Sequence, residues 1–350
     1  MFLASKKQIK IGNILIGGGA PVSVQSMTNT DTRDVETTLQ QIEVLAREKC
    51  EIIRVAVPDE EAAQALKEIC RRSPLPVIAD IHFDYRLALK ALAHGVAGLR
   101  INPGNIGSED RVKEVVAAAR ERAVPIRIGV NAGSLEKDLL EKYGHPCAEA
   151  LVESALRHVA LLERFGYEEI KISLKTSRVP VLLAAYRLLA QKVPYPLHIG
   201  VTEAGTLFRG VIKSSVGLGI LLSEGIGDTM RVSLTADPVY EVRTAWQILQ
   251  SLNLRQAGPE LVSCPTCGRC QVNLIKLAEE VDQILYQIDR PLKVAVMGCA
   301  VNGPGEAREA DIGIAGGKGA GLLFKKGQVI RKVPEEQLLS ALLEEIRRLD

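Results

Sequence analysis

From Val22 onward, short β-branched runs alternate with amphipathic stretches, and eight such runs stand out: Val22–Gln25, Ile52–Val57, Val77–Asp80, Gly98–Ile101, Ile126–Val130, Ile170–Leu174, Leu197–Val201 and Met230–Leu234. Eight strand–helix units in series predict a closed parallel (β/α)8 barrel, a TIM barrel, in preference to an open doubly wound sheet. The segment between the first two runs has helical period. Over Val35 to Lys49 the pattern places Leu39, Ile42, Val44, Leu45 and Ala46 along one stripe and leaves Glu36, Gln40, Glu43 and Arg47 to solvent. No Gly-x-Gly-x-x-Gly opens the first helix, and Gly17-Gly18-Gly19 precedes the first strand, so this glycine run reads as a turn and not as a phosphate loop.

After a helix from about Val239 to Leu252 and a polar linker, Asn253 to Pro259, the pattern changes. A cysteine run leads into a helix over Val272–Tyr286. Strand Leu292–Met297, a Cys299 turn and strand Ile312–Ala315 follow, then a Gly-rich turn at Gly316–Gly321. A hairpin of Leu322–Phe324 with Val329–Val333 and a helix over Pro334–Leu349 end the chain. The expected architecture is therefore α/β: a barrel over residues 1–255 and a small α+β domain over residues 256–350. A total of 350 residues suits a barrel of about 250 plus such a domain.

Charge and composition remove several function classes. With 44 Lys and Arg against 42 Asp and Glu, no global field draws nucleic acid or an anionic membrane. No run reaches the roughly 18 apolar residues of a membrane span, and the N-terminus lacks a signal-peptide core, so a cytoplasmic protein is expected. There, seven cysteines read as reduced thiols or metal ligands and not as a disulfide framework. Cys50, Cys70 and Cys147 are scattered and are expected to be small buried hydrophobes.

In such a barrel the active site lies at the C-terminal strand ends, where this chain carries Gln25-Ser26, Arg54, Asp80, His82, Arg100, Asn102, Arg127, Asn131, Lys175, Thr202-Glu203, Arg231 and Ser233. Arg54, Arg100 and Arg127 sit within apolar strands, so each needs an acid such as Asp80 or Asp228, or an anion. Together with Lys175 they exceed the nearby acids, which points to a phosphorylated, polyanionic small substrate. Glu203 closes a strand, where it can move a proton or pair with Lys175 or Arg231. His82 and His198 also stand near strand ends, yet a lone histidine is more often a hydrogen-bonded structural residue.

The small domain carries Cys264, Cys267 and Cys270 as C-x2-C-x2-C, with Cys299 on a second arm. Four such thiols can hold structural zinc or ligate an iron–sulfur cluster. The second arm continues Asn302-Gly303-Pro304-Gly305-Glu306, a tight-turn sequence in which Glu306 either returns toward the metal as an exchangeable carboxylate or stays a solvated turn residue. Cys270 is then either the fourth ligand of a closed site or spare. A zinc-stapled barrel that acts on a sugar phosphate by aldol or isomerase chemistry is the competing reading.

Taken together, these residues resemble the 4-hydroxy-3-methylbut-2-enyl diphosphate synthase family, iron–sulfur enzymes of the non-mevalonate isoprenoid pathway. The segments that carry the resemblance include Val24-Gln25-Ser26-Met27-Thr28, Arg100-Ile101-Asn102-Pro103-Gly104-Asn105, Thr202-Glu203-Ala204-Gly205, Leu222-Ser223-Glu224-Gly225 and Ser263-Cys264-Pro265-Thr266-Cys267. Gly298-Cys299 through Glu306 is the most specific. The resemblance implies a [4Fe-4S] cluster held by Cys264, Cys267 and Cys299 with Glu306 on the fourth iron, which leaves Cys270 spare. It implies reductive ring opening of 2-C-methyl-D-erythritol 2,4-cyclodiphosphate, with electrons from flavodoxin or ferredoxin. Arg54, Arg100, Arg127, Asn131, Lys175, Ser233 and Asn302 are then substrate-binding positions, and Glu203 the acid–base residue. A head-to-tail homodimer of the two-domain bacterial form is implied as well.

Overall fold

The computed structural model describes residues 5–300, 305 and 307–349. It divides into two compact units, Met1–Arg255 and Gln256–Asp350.

The first unit opens with a hairpin, β1 (Gln8–Ile11) and β2 (Ile14–Gly17), whose turn needs Gly12. Its φ is +59°, and a Cβ there would lie 2.8 Å from Pro76 Cγ. Ile9, Ile11 and Ile16 of this hairpin bury against Ile52 and Ile78, the inward residues at the N-terminal ends of two barrel strands. The hairpin therefore closes the barrel floor.

Eight parallel strands follow: β3 (Ser23–Met27), β4 (Ile52–Ala56), β5 (Val77–Asp80), β6 (Gly98–Ile101), β7 (Ile126–Asn131), β8 (Ile170–Lys175), β9 (His198–Ile199) and β10 (Thr229–Met230). Each pairs with its sequence neighbour from β3 to β8, β10 pairs with both β9 and β3, and a parallel bridge from Ile172 to Leu197 joins β8 to β9 and closes the ring. The expected barrel is present. Its last two strands are shorter than the apolar runs Leu197–Val201 and Met230–Leu234 suggested. A Cβ on Gly200 would lie 2.8 Å from the Arg231 carbonyl oxygen, so the two backbones already crowd there, and beyond them the chain turns outward through positive φ at Glu203 and Gly205.

Helices over the outside start at acidic caps. Asp34 Oδ1 accepts from Thr37 N at 3.0 Å and Asp59 Oδ1 from Ala62 N at 2.9 Å. The helix Val35–Arg47 buries Thr38, Leu39, Ile42 and Leu45. Val44, expected on the same stripe, is exposed, because two positions beyond Ile42 is about 200° around the helix.

The second unit is a five-stranded sheet in sequence order: β11 (Glu260–Ser263), β12 (Lys293–Met297), β13 (Ile312–Ala315), β14 (Ala320–Lys325) and β15 (Gln328–Pro334). The first three strands are parallel and the last two antiparallel. Helices Leu274–Leu285 and Leu338–Arg347 pack Leu274, Val281, Leu285, Leu338, Leu342 and Ile346 on Val294, Val296, Ile312 and Ile314, giving the expected α+β unit. Strand β11 was not expected: it is four residues long, lies at a sheet edge and has no alternation to reveal it. The last helix begins at Leu338 instead of Pro334, because Glu335–Gln337 forms a 3-10 turn first.

Candidate active site

A barrel of this kind is normally filled by branched apolar side chains. Here adjacent strands place cations side by side: Arg100 pairs in register with Asp80 and Arg127, and Arg127 with Lys171. Arg54, Arg100, Arg127 and Lys171 are all buried.

Asp80 is the shared acid. Arg100 Nη1 donates to its Oδ1 at 3.1 Å, Arg54 Nε lies 3.6 Å from Oδ2, and His82 Nε2 lies 3.7 Å from Oδ2. Burial alone would raise the Asp80 pKa, but Arg54, then His82, Arg100 and Arg127, hold it well below the usual carboxylate range. Asp228, the other acid expected to serve, instead accepts from Ser5 Oγ and from Leu197 N. Arg231 is held by Glu241, whose Oε2 accepts from its Nε at 3.2 Å and whose Oε1 accepts from Leu234 N.

Arg127 has no such partner. Among the described residues its Nε, Nη1 and Nη2 make no hydrogen bond, and neither do Arg54 Nη1, Arg100 Nε or Lys171 Nζ. Burial, and then Arg54 and Arg100, push the Arg127 pKa well below its ordinary value. A guanidinium nevertheless stays protonated, so the cluster carries uncompensated positive charge. Lys175, at the end of β8 and in register with Asn131, has its pKa lowered to about 6 by burial and then by Arg54, Arg100 and Arg127.

Arg54, Lys175 and Ser233 line one opening at the strand ends, with His198, Thr202 and Arg231; its volume, including the part open to solvent, is about 370 Å³. Arg127 is buried in β7, which adjoins β8 and Lys175, Arg100 is buried in β6, separated from Arg54 on β4 by β5 and its Asp80, and Asn131 ends β7. Glu203 is exposed in the loop after β9 at φ +51°, a left-handed conformation uncommon for a residue with a side chain. Asn302 and Glu306 lie outside the described residues. Of the buried interior groups, Lys171 was passed over in the sequence, and His198 was read there as a structural histidine. The alternation Lys171, Ser173, Lys175 along β8 is the pattern that points Lys171 inward.

In the second unit, β11 and β12 run parallel with Ser263 opposite Val296, so Cys264 and Cys299 leave neighbouring strands at the same end. Gly298 N donates to Cys264 Sγ at 3.1 Å. Cys267 is exposed. Cys270 turns inward: its thiol donates to the Val272 carbonyl at 3.2 Å, and a Cβ on Gly298 would lie 2.7 Å from its sulfur. Among the described residues no three His, Cys, Asp or Glu side chains converge at ligand distance. The donor chemistry still suits a soft metal centre, since thiols at one sheet end are what such a centre needs. Of the scattered cysteines, Cys50 is buried as expected, whereas Cys70 and Cys147 are half-buried. No described helix is long and apolar enough to cross a membrane.

A family model described as the GcpE TIM-barrel domain matches residues 6–246, and one described as the GcpE protein C-terminal domain matches residues 260–348. A relative from Geobacter sulfurreducens named 4-hydroxy-3-methylbut-2-en-1-yl diphosphate synthase (flavodoxin) is 68% identical over 346 residues, 99% of this chain and 98% of the relative. A relative of the same name from Maridesulfovibrio salexigens is 63% identical over 341 residues, 97% of this chain and 95% of its own. Among solved structures, the 3-dehydroquinate dehydratase of Geobacillus kaustophilus aligns with a TM-score of 0.52 at 18% identity, over 72% of this chain and 99% of that one. A dihydropteroate synthase from Stenotrophomonas maltophilia aligns with a TM-score of 0.53 at 16% identity, over 70% of this chain and 98% of that one. At such identities these two structures share the barrel fold alone.

Proposed function

The chain belongs to the GcpE family of redox enzymes, and from that premise we propose that it opens the ring of 2-C-methyl-D-erythritol 2,4-cyclodiphosphate reductively to give 4-hydroxy-3-methylbut-2-enyl diphosphate. Two electrons enter, a ring C–O bond to phosphate breaks, and one hydroxyl oxygen leaves as water after protonation. The observation that carries this reading is the buried cation cluster. Arg127 with no acid, Arg54 and Arg100 sharing Asp80, and Lys175 with a lowered pKa together suit a ligand that brings several negative charges.

In this reading Arg54, Arg100, Arg127 and Lys175 bind the diphosphate, while Asn131, Ser233 and Asn302 hydrogen-bond and orient it. Glu203 moves the proton at the departing hydroxyl oxygen. Closing the mouth excludes water and strengthens each of these contacts. Cys264, Cys267 and Cys299, with Glu306, would hold a [4Fe-4S] cluster. One-electron delivery at low potential is the chemistry that a bound cluster supplies here. The inward thiol of Cys270 supports its exclusion from the ligand set.

We take flavodoxin as the electron donor, as in the relatives' names, with ferredoxin as the other candidate, and the cytoplasm as the compartment. A head-to-tail homodimer is supported by where the chain leaves the barrel. Arg255 donates to the Val22 carbonyl and to Glu51 and lies over Trp246, which pins the exit on the N-terminal face, opposite the mouth. The relatives named lend no support to the zinc-stapled aldolase or isomerase reading.

The test is an iron, sulfide and zinc count on anaerobically prepared protein, with turnover of the cyclic diphosphate by reduced flavodoxin. Four irons and four sulfides per chain with product formation are expected. Colourless protein with one zinc and no turnover would overturn the reading.

A further inference from the structure

We propose that His198 is a further substrate-binding residue, an uncharged imidazole whose Nε2–H donates to an oxygen of the bound diphosphate. The proposal rests on the reading that the barrel mouth takes the cyclic diphosphate.

His198 begins β9 and is buried, yet the residue lines the opening with Lys175 and Ser233. Its Nδ1 lies 3.3 Å from Thr229 Oγ1, across the register pair His198 to Thr229. The Thr229 hydroxyl is fully buried and has no other hydrogen-bond partner among the described residues. A buried hydroxyl proton needs an acceptor, and Nδ1 is the acceptor within reach. If the hydroxyl donates to Nδ1, the ring carries its own proton on Nε2. No described residue takes a hydrogen bond from Nε2, which leaves it to the opening.

The surroundings fix the charge. Arg127, Lys171, Arg54 and Lys175 all act on the ring, and burial followed by these four cations pushes its pKa well below the ordinary histidine value. An imidazolium would add one more positive charge to a cluster in which Arg54 and Arg100 already share Asp80. A neutral ring adds a directed donor without that cost. A polyanion held by guanidinium and ammonium groups still has oxygen lone pairs to satisfy, and a neutral N–H serves them without further repulsion among the cations.

Two substitutions separate a pocket role from a structural one, because each amide occupies one nitrogen position of the ring. His198→Asn places its amide where Nδ1 was and keeps a partner for Thr229. His198→Gln places its amide near Nε2 and keeps the donor in the opening. Affinity for 2-C-methyl-D-erythritol 2,4-cyclodiphosphate is measured by calorimetry on anaerobic holoenzyme, alongside thermal unfolding. His198→Asn is expected to bind about 10- to 100-fold more weakly, the worth of one hydrogen bond to a charged group, with His198→Gln within about threefold of the parent. Parent-like affinity for His198→Asn, with weakened or unstable His198→Gln, would make the ring purely structural and overturn the proposal. Should a variant fail to fold, the 15N-histidine spectrum of the unaltered holoenzyme decides. The His198 Nε2 signal should move on substrate addition, and a stationary signal counts against the contact. Parent enzyme that does not bind the cyclic diphosphate at all would instead sink the reading of the mouth.

Discussion

Replacing Arg127 with methionine should make the empty barrel more stable while abolishing its purpose. The guanidinium is buried with three nitrogens that have no hydrogen-bond partner among the described residues, and Arg54 and Arg100 repel it. Exchanging buried charges for apolar side chains of similar length is often stabilising, by about 1–4 kcal/mol. Taking about 2 kcal/mol, and about 2–4 °C per kcal/mol for a domain of this size, melting of the substrate-free protein should rise by about 4–8 °C. Binding should move the other way. A bidentate phosphate contact comprises two charged hydrogen bonds of about 1.5–3 kcal/mol each, so a loss of about 3–6 kcal/mol is expected, or roughly 150- to 20,000-fold in affinity. Differential scanning calorimetry of the empty protein and titration with the cyclic diphosphate read the two effects, with the iron count unchanged. A lowered melting temperature with undiminished affinity would refute the reasoning, because Arg127 would then be a satisfied structural residue.

Four other outcomes are expected. Asp80→Asn should destabilise the barrel by about 3–5 kcal/mol in denaturant unfolding, because Arg54 and Arg100 lose their shared acid. The Lys175 pKa is lowered to about 6 in the fold and is about 10.4 in the unfolded chain, so the unfolded chain holds more protons between these values and stability should rise with pH across that window. The penalty is full below pH 6, and Lys175→Met should flatten this part of the profile while Arg54, Arg100, Arg127 and Asp80 stay in place. Glu203→Gly should relieve a left-handed backbone cost of about 1–2 kcal/mol, partly offset by glycine entropy, and raise the melting temperature slightly. Both Glu203→Gly and Glu203→Gln should lose turnover, and a fully active Glu203→Gln would remove Glu203 from proton transfer. Cys270→Ala should retain iron that Cys264→Ser loses, as read by iron analysis after anaerobic preparation.

Local pattern carried most of the barrel, because parallel strands buried on both faces leave β-branched runs that nothing else in a chain imitates. It overran β9 and β10, where backbone crowding at Gly200 and Arg231 ends the ladder before the apolar run ends. It also missed β11, whose two exposed ends and two half-buried middle residues carry no periodic signal. At the mouth, the arginines in apolar strands and one of their two expected acids, Asp80, were visible, but the partner of Arg231 was not. Glu241 reaches Arg231, Ser26 and Leu234 from the helix Pro238–Ser251, a tertiary relation that no spacing encodes. Lys171 escaped notice because attention to strand ends overlooks what lies one layer down. Asn302 and Glu306 were legible through resemblance alone and lie outside the described residues.

The isoleucines of the N-terminal hairpin, Ile9, Ile11 and Ile16, make the barrel a one-ended vessel. Water, protons and counterions that reach Arg127 or Lys171 have to descend past the place where substrate rests. A bound cyclic diphosphate is thus also a stopper. Arg127 and Lys171, buried in the strands below the opening, then meet solvent again only once the mouth is vacated.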